Sequence, residues 1–475
     1  MAQAKRKIEP LFHLTKRTDI PTWKAWVIRI VAIVAAFILS GVICAILTKG
    51  QEFGGYYIEM INGAFGTQRR ILVLFNNWAI LLLIAVALAP AFKMKFWNIG
   101  AEGQVLVGAL ASVFIIKHFG GKVAEGGLIV LMLLAAMILG GLWGGLPAIF
   151  KAKWNTNETL FTLMMNYIAT QLVLFAINVW EPGGSGTIGI LDYGSYSPAL
   201  KQVMIGISNP EYIINVILIT VITVAVFFYL KYSKHGYELT VVGESVNTAK
   251  YIGVNVRKTI IRTMLLSGVL CGICGWFLVA GSPTPTVNAS LVGGRGFTAI
   301  LVAWLGQLNP FIMMGTAFLV VFMQAGASQS ATAFNIGDSS AFSGVLIGVF
   351  FLIVIAAEFL VNYNVVFRHK EKKATKAKDD ALSNLMGGVV DKHDESQKDI
   401  MTQEEFEERL EEMGTEFFEQ TITEAKQKEE EADDSFILAK EDKVVKEDTD
   451  DKDIENNEDK KEDDWLCLLR FYTMQ

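Results

Sequence analysis

Histidine and cysteine are scarce: five of one and four of the other in a chain of 475 residues. The cysteines are Cys44, Cys271, Cys274 and Cys467, and no group of Cys and His has the spacing of zinc ligands. Cys271-Gly-Ile-Cys274 has redox-motif spacing, but it lies in the apolar run 264–281. No nearby charge would hold a thiolate there, so both read as small buried residues. No histidine falls within a predicted membrane span, so no nucleophile–His–acid set can be assembled and no catalytic residue or metal ligand is assigned. A Gly-x-x-x-x-Gly-Lys-Ser/Thr phosphate loop is also missing; Gly121-Lys122 is followed by Val123. The chain therefore has no visible means of binding ATP and no cofactor of its own.

Charge is scarce over most of the length and crowded at one end. Residues 1–370 hold 26 Lys+Arg and 14 Asp+Glu, a net charge of +12. Residues 371–475 hold 16 Lys+Arg and 34 Asp+Glu, a net charge of −18. The first part is too apolar for a soluble domain and the second too charged to build a core. This excludes a simple soluble enzyme. It predicts an all-α polytopic membrane protein with an acidic, largely disordered C-terminal tail.

About 20 apolar residues in a helix cross about 30 Å of hydrocarbon. Ten runs qualify: 26–48, 71–90, 96–116, 127–150, 158–180, 212–230, 260–281, 297–308, 311–328 and 341–363. The eighth is short and reads as a partial or re-entrant segment. The first is too long for a signal-peptide core and lacks a small-residue cleavage site, so it is a retained span. With the N-terminus inside, the inner loops carry 19 Lys+Arg before the tail and the outer loops seven. That bias predicts both termini on the cytoplasmic side of a bacterial plasma membrane. The organisation is then an N-terminal arm (1–25), a membrane domain (26–364) containing a cytoplasmic loop (231–262), and a charged tail (365–475). Within the tail, Thr402-x-x-Glu405 fits a capping box, and Phe406, Leu410, Met413 and Phe417 follow on one helical face.

Three segments carry candidate function. Trp97-Asn98-Ile99-Gly100-Ala101-Glu102-Gly103-Gln104 places an acid, two amides and two glycines at the start of a span. An ionisable group there faces protein, water or a partner, and glycines beside it predict irregular backbone. Asn157-Glu158 opens the fifth span as an N-cap, which sets Asn166 about two turns inside the bilayer, where a buried amide needs a partner. In the long inner loop, Glu244 to Tyr251 predicts two helical turns through Ser245, Asn247 and Ala249, closed by Gly253. Val246, Ala249 and Ile252 would share its apolar face, the expected docking contact.

Together with Gly293-Gly294-Arg295-Gly296-Phe297, these segments resemble permease subunits of ATP-binding-cassette importers. The likeness is strongest to nucleoside permeases of the simple-sugar, ribose-type branch, and it covers roughly residues 26–364. The resemblance implies a homo- or heterodimer of permeases forming the pathway in lipid. A separate ATPase subunit would use ATP and dock on the inner loop, and an extracellular solute-binding lipoprotein would deliver the solute; nucleic acid has no part. A nucleoside needs amide or hydroxyl partners and no fixed charge, so Asn98, Gln104 and Asn166 are the expected pathway residues. Glu102 is expected to hold the backbone around Gly100 and Gly103 and is counted with the pathway residues as a second candidate for solute contact; Gly294 and Gly296 are further structural glycines. Two readings stay open beside this one. One is a permease for a simple sugar such as ribose or galactose. The other is an ion-coupled secondary transporter using Glu102, Glu158 or Glu358.

Overall fold

The computed structural model describes residues 12–16, 21–49, 53–181, 183, 186–188, 210–282 and 286–367. The acidic tail and the helix expected at 402–418 lie outside these residues. Within them the chain is helical except for one two-stranded ribbon and an isolated bridge. In order, the elements are β1 (Phe12–Lys16), α1 (Thr22–Leu47), α2 (Phe53–Phe65), α3 (Gln68–Lys93), α4 (Ala101–Phe119) and α5 (Glu125–Trp154). Then come α6 (Glu158–Trp180), α7 (Glu211–Tyr232), α8 (Lys234–Glu244), α9 (Val246–Tyr251) and α10 (Val256–Ala280). The last are α11 (Arg295–Leu305), α12 (Pro310–Ala333), α13 (Ser339–Asn362) and β2 (Tyr363–Phe367).

Among the described residues nine helices are long and apolar enough to cross a membrane: α1, α3 to α7, α10, α12 and α13. They match nine of the ten predicted spans. The tenth, α11, has 11 residues and so rises only about 16 Å, half a bilayer. Many helix starts are written locally. Thr67, Asn157, Ser233, Ser245, Asn255, Asn309 and Asp338 each accept a hydrogen bond from a first-turn N–H of the helix they precede. Such a cap is worth about 1 kcal/mol. Two expectations need correction. The segment between the first two spans, expected as a loop, contains α2, whose Tyr56, Met60 and Ala64 are buried, the last two against α12 and its neighbours. The third span starts at Ala101 rather than residue 96, because Phe96–Ile99 are irregular and Gly100 is the N-cap.

Helix α3 is the axis of the bundle: every residue from Ala79 to Phe92 is buried. A helix apolar on all sides belongs in the middle. Beside it, α10 packs backbone to backbone with α4 and α5. A Cβ on Gly140 would lie 2.6 Å from the Gly268 carbonyl oxygen, and one on Gly108 would lie 2.6 Å from Gly272 Cα. Small residues permit that approach where lipid gives no hydrophobic drive between helices. At the periphery, the Arg29 guanidinium donates from two nitrogens to the Glu358 carboxylate, each at 3.0 Å, joining α1 to α13. Strands β1 and β2 pair antiparallel from Phe12↔Phe367 to Lys16↔Tyr363. Residues 12–16 thus lie on the face where the last helix ends.

Candidate functional site

The eighth apolar run enters the bundle as a broken helix. Gly294 precedes α11 with φ +77°, a conformation that suits glycine. The first N–H groups of a helix have no partner within it. Here Glu102, in the first turn of α4, supplies one: its two carboxylate oxygens accept from Gly294 N at 2.8 Å and Gly296 N at 2.7 Å. The positive end of the short helix also favours the negative charge. Glu102 therefore holds the start of α11 and not the Gly100–Gly103 turn beside it. A Cβ on Gly296 would press on the Glu102 backbone N at 2.6 Å, so both Gly294 and Gly296 have structural roles. Arg295 between them donates to Asn77 Oδ1 of α3 at 3.1 Å.

Arg295 borders a polar cavity of about 230 Å³. Asn76 and Asn77 of α3, Tyr212 of α7, Ser282 and Thr286 also line it, with Phe277, Leu278 and Leu291 as apolar walls. Asn215 of α7 sits behind it and donates to Asn76 Oδ1 at 2.8 Å and to the Gly281 carbonyl at 3.0 Å. Three helices and the broken helix thus meet around one group of amides, hydroxyls and a guanidinium. The sequence did carry a signal for this site: paired amides, Asn76-Asn77, inside an apolar run.

The predicted pathway amides lie elsewhere. Asn98 and Gln104 are buried and bond each other in both directions, at 3.4 and 3.2 Å. Asn98 also donates to Ser267 Oγ of α10 at 3.2 Å and accepts from Gly100 N at 3.0 Å. Asn166 donates to the Ile99 carbonyl at 2.9 Å and accepts from Gly103 N at 2.8 Å. These amides pin the irregular 96–100 segment to α6 and α10, and none of them lines the polar cavity. Gly103 itself is within regular helix. The three carboxylates considered for ion coupling are all engaged: Glu102 as above, Glu158 with Lys151 at 2.9 Å, and Glu358 with Arg29.

The 231–262 loop forms two helices where one was expected. Glu244 ends α8, and Ser245 turns the chain and caps α9 through Thr248 N at 3.2 Å. Gly253, at φ +84°, closes α9: its N–H bonds the Lys250 carbonyl at 3.0 Å and Val254 N bonds the Ala249 carbonyl at 2.9 Å. Ala249 is fully buried within this chain, so it is not part of an outward contact. The outward face carries Val246, Asn247, Lys250, Ile252 and above all Tyr251, which is 94% exposed. One helix back, His235 is buried at the joint with the spans. Tyr229 Oη of α7 lies 2.6 Å from its Nδ1, and Thr263 Oγ1 of α10 lies 3.1 Å from its Nε2. Thr263 already donates to the Thr259 carbonyl at 2.7 Å, so it accepts from Nε2–H, and Tyr229 donates to Nδ1. Burial pushes the imidazole below its ordinary pKa; Arg262 adds to this, while Glu238 and a Thr259 bond oppose it.

Comparison with known proteins gives the same class of molecule. A family model described as "branched-chain amino acid transport system / permease component" matches residues 70–355, well over half of the chain. The glucose ABC transporter permease protein TsgB13 of Haloferax volcanii is 28% identical over 364 residues, 74% of this chain and 93% of that protein. The guanosine ABC transporter permease protein NupP of Bacillus subtilis is 31% identical over 283 residues, 59% and 80% of the two chains. The nucleoside ABC transporter permease protein NupB of Lactococcus lactis subsp. cremoris is 26% identical over 308 residues, 63% and 83%. The chain belongs to this permease family and is a multi-span membrane subunit of an ATP-binding-cassette importer.

Proposed function

We propose that this permease carries nucleosides, and that the solute crosses by way of the polar cavity at the start of α11. The observation that carries the reading is the chemistry of that cavity. Amides, hydroxyls and one arginine can match the hydrogen-bonding edge of a base and the hydroxyls of a ribose, and Tyr212 offers a ring face. Glu102 near Arg295 balances its charge, so an uncharged solute is not opposed. The relatives named for guanosine and for nucleosides support the same solute class. In this reading Asn98, Gln104 and Asn166 hold the inner ends of the helices and do not touch the solute.

An ATPase subunit would seat on α9, with Tyr251 and Ile252 as its apolar contact, and would consume the ATP. A second permease subunit would complete the pathway and an extracellular lipoprotein would deliver the solute. The face bearing Lys93, Lys151 and Lys231 is then cytoplasmic, with both termini on it, in a bacterial plasma membrane. A simple sugar is the second reading, because the relative named for glucose aligns over the larger share of this chain. Uptake of radiolabelled guanosine, cytidine, ribose, galactose and glucose by cells expressing the complete transporter tests both. Nucleoside uptake supports the first reading; uptake of a sugar with none of the nucleosides replaces it.

A further inference from the structure

The basic face carries a second cavity, of about 570 Å³, between the ends of four spans and the α8–α9 pair. Five cations line it: Lys95, Lys151, Lys153, Lys250 and Arg257. Two carboxylates, Glu158 and Glu244, leave a net charge of +3. Glu158 is committed to Lys151 at 2.9 Å, and Glu244 is on an exposed helix end. The remaining cations have no carboxylate within salt-bridge distance among the described residues. Val256 and Arg257, the first residues of α10, add the positive end of a helix.

Met94, Phe96, Val242, Val246 and Ile260 also line it, interleaved with the cations along the same segments. The floor is made by the ends of α3 and α5 and the starts of α6 and α10, so the cavity lies where the spans leave the hydrocarbon. Trp154, exposed beside it with Lys153 5.7 Å from its ring, is a residue suited to that level. Cations interleaved with apolar side chains at the membrane boundary match a ligand that carries both an anionic group and apolar chains. We propose that this cavity binds the phosphate-bearing headgroup of an anionic lipid such as phosphatidylglycerol. Lys250 and Val246 belong to α9, so a bound lipid would rest directly against the outward-facing helix of the inner loop.

The test is native mass spectrometry on the purified full-length protein with phosphatidylglycerol, phosphatidylcholine or inorganic phosphate added. Phosphatidylglycerol should be retained in preference to phosphatidylcholine, and millimolar inorganic phosphate should not displace it. The double change Lys153→Gln with Arg257→Gln should lower retention about tenfold. The charge-keeping pair Lys153→Arg with Arg257→Lys should hold it near the parent level. So should Lys117→Gln with Lys122→Gln, on the far face. If the double variant does not fold, Lys95→Gln, on an exposed turn, gives the same reading with a smaller loss. Equal retention of the two lipids, or unchanged retention in the neutralised variants, would overturn the proposal. Displacement by inorganic phosphate would also overturn it, making the cavity a site for free anions.

Discussion

Glu102 and Gly296 are 194 residues apart, yet the carboxylate of one and the backbone N–H of the other meet at 2.7 Å. A helix that starts inside the bundle exposes donors that lipid cannot satisfy, and the acid on α4 is what satisfies them. Glu102→Gln keeps one acceptor and should lose about 1.5–3 kcal/mol, while Glu102→Leu should lose roughly twice that. Thermal unfolding in detergent should rank parent above Gln above Leu, and uptake should follow. A Leu variant as stable as the parent would remove this role.

Asn166 spends its amide on Ile99 and Gly103, both backbone groups of another segment. Asn166→Leu strands a buried carbonyl and a buried N–H, at about 1–3 kcal/mol each. The yield of folded protein should fall together with uptake. Normal yield and stability with lost uptake would instead place Asn166 in the pathway, as the sequence alone suggested.

The polar cavity should behave in the opposite way. Asn77→Ala removes the acceptor of an arginine that also faces the cavity, so the apparent KM for the transported nucleoside should rise about tenfold, the size of one or two lost hydrogen bonds. Folded yield should stay near the parent level. Kinetics of radiolabelled uptake check this, and an unchanged KM would move the solute site elsewhere.

On the 231–262 loop, Tyr251 and Ala249 separate surface from core. Tyr251→Ala should leave thermal stability within about 0.5 kcal/mol and reduce co-purification of the ATPase. Ala249→Asp should destabilise the permease by several kcal/mol in rough terms, because its carboxylate would enter a packed interior. Intact ATPase binding by the Tyr251 variant would shift the contact to another part of the loop.

His235 gives a pH dependence. Its pKa is lower in the folded protein than the ordinary 6.5, so over that interval the unfolded chain binds the extra proton. The contribution is complete above the ordinary value and is lost as pH falls toward the depressed one. Melting temperature should therefore drop on acidification below neutrality, and His235→Gln should flatten that part of the curve. A slope unchanged by the substitution would assign it to other groups.

What the sequence made legible was local. Span lengths, the N-cap at Asn157 and the closing glycine at 253 each depend on residues within a turn or two, and each stands in the structure. The shortness of α11 was also readable from its apolar length. Helix α2 was readable in principle, since Tyr56, Met60 and Ala64 recur every fourth residue, but three glycines and an acid mask the pattern. The fate of each polar group was not legible. Asn98 and Asn77 look alike in sequence, each an amide within apolar surroundings. Only the distant partners, Ser267 for one and Arg295 for the other, make one a pin and the other a wall of the cavity. Such pairings follow from helix register across the bundle, which composition and period do not encode.

The backbone contact among Gly108, Gly140, Gly268 and Gly272 limits how the transporter can move. Side chains at an interface can re-pack as helices slide, but main chains already touching have no slack to give up. Helices α4, α5 and α10 must therefore travel through a transport cycle as one block. If the solute passes through the polar cavity, α10 walls one side of it and α7 the other, while Glu102 ties the start of α11 to the block, so α7 is the wall that would shift against it. The hydrogen bond from Asn215 to Gly281, at the end of α10, crosses that boundary, and it is one that such a cycle would have to break and remake.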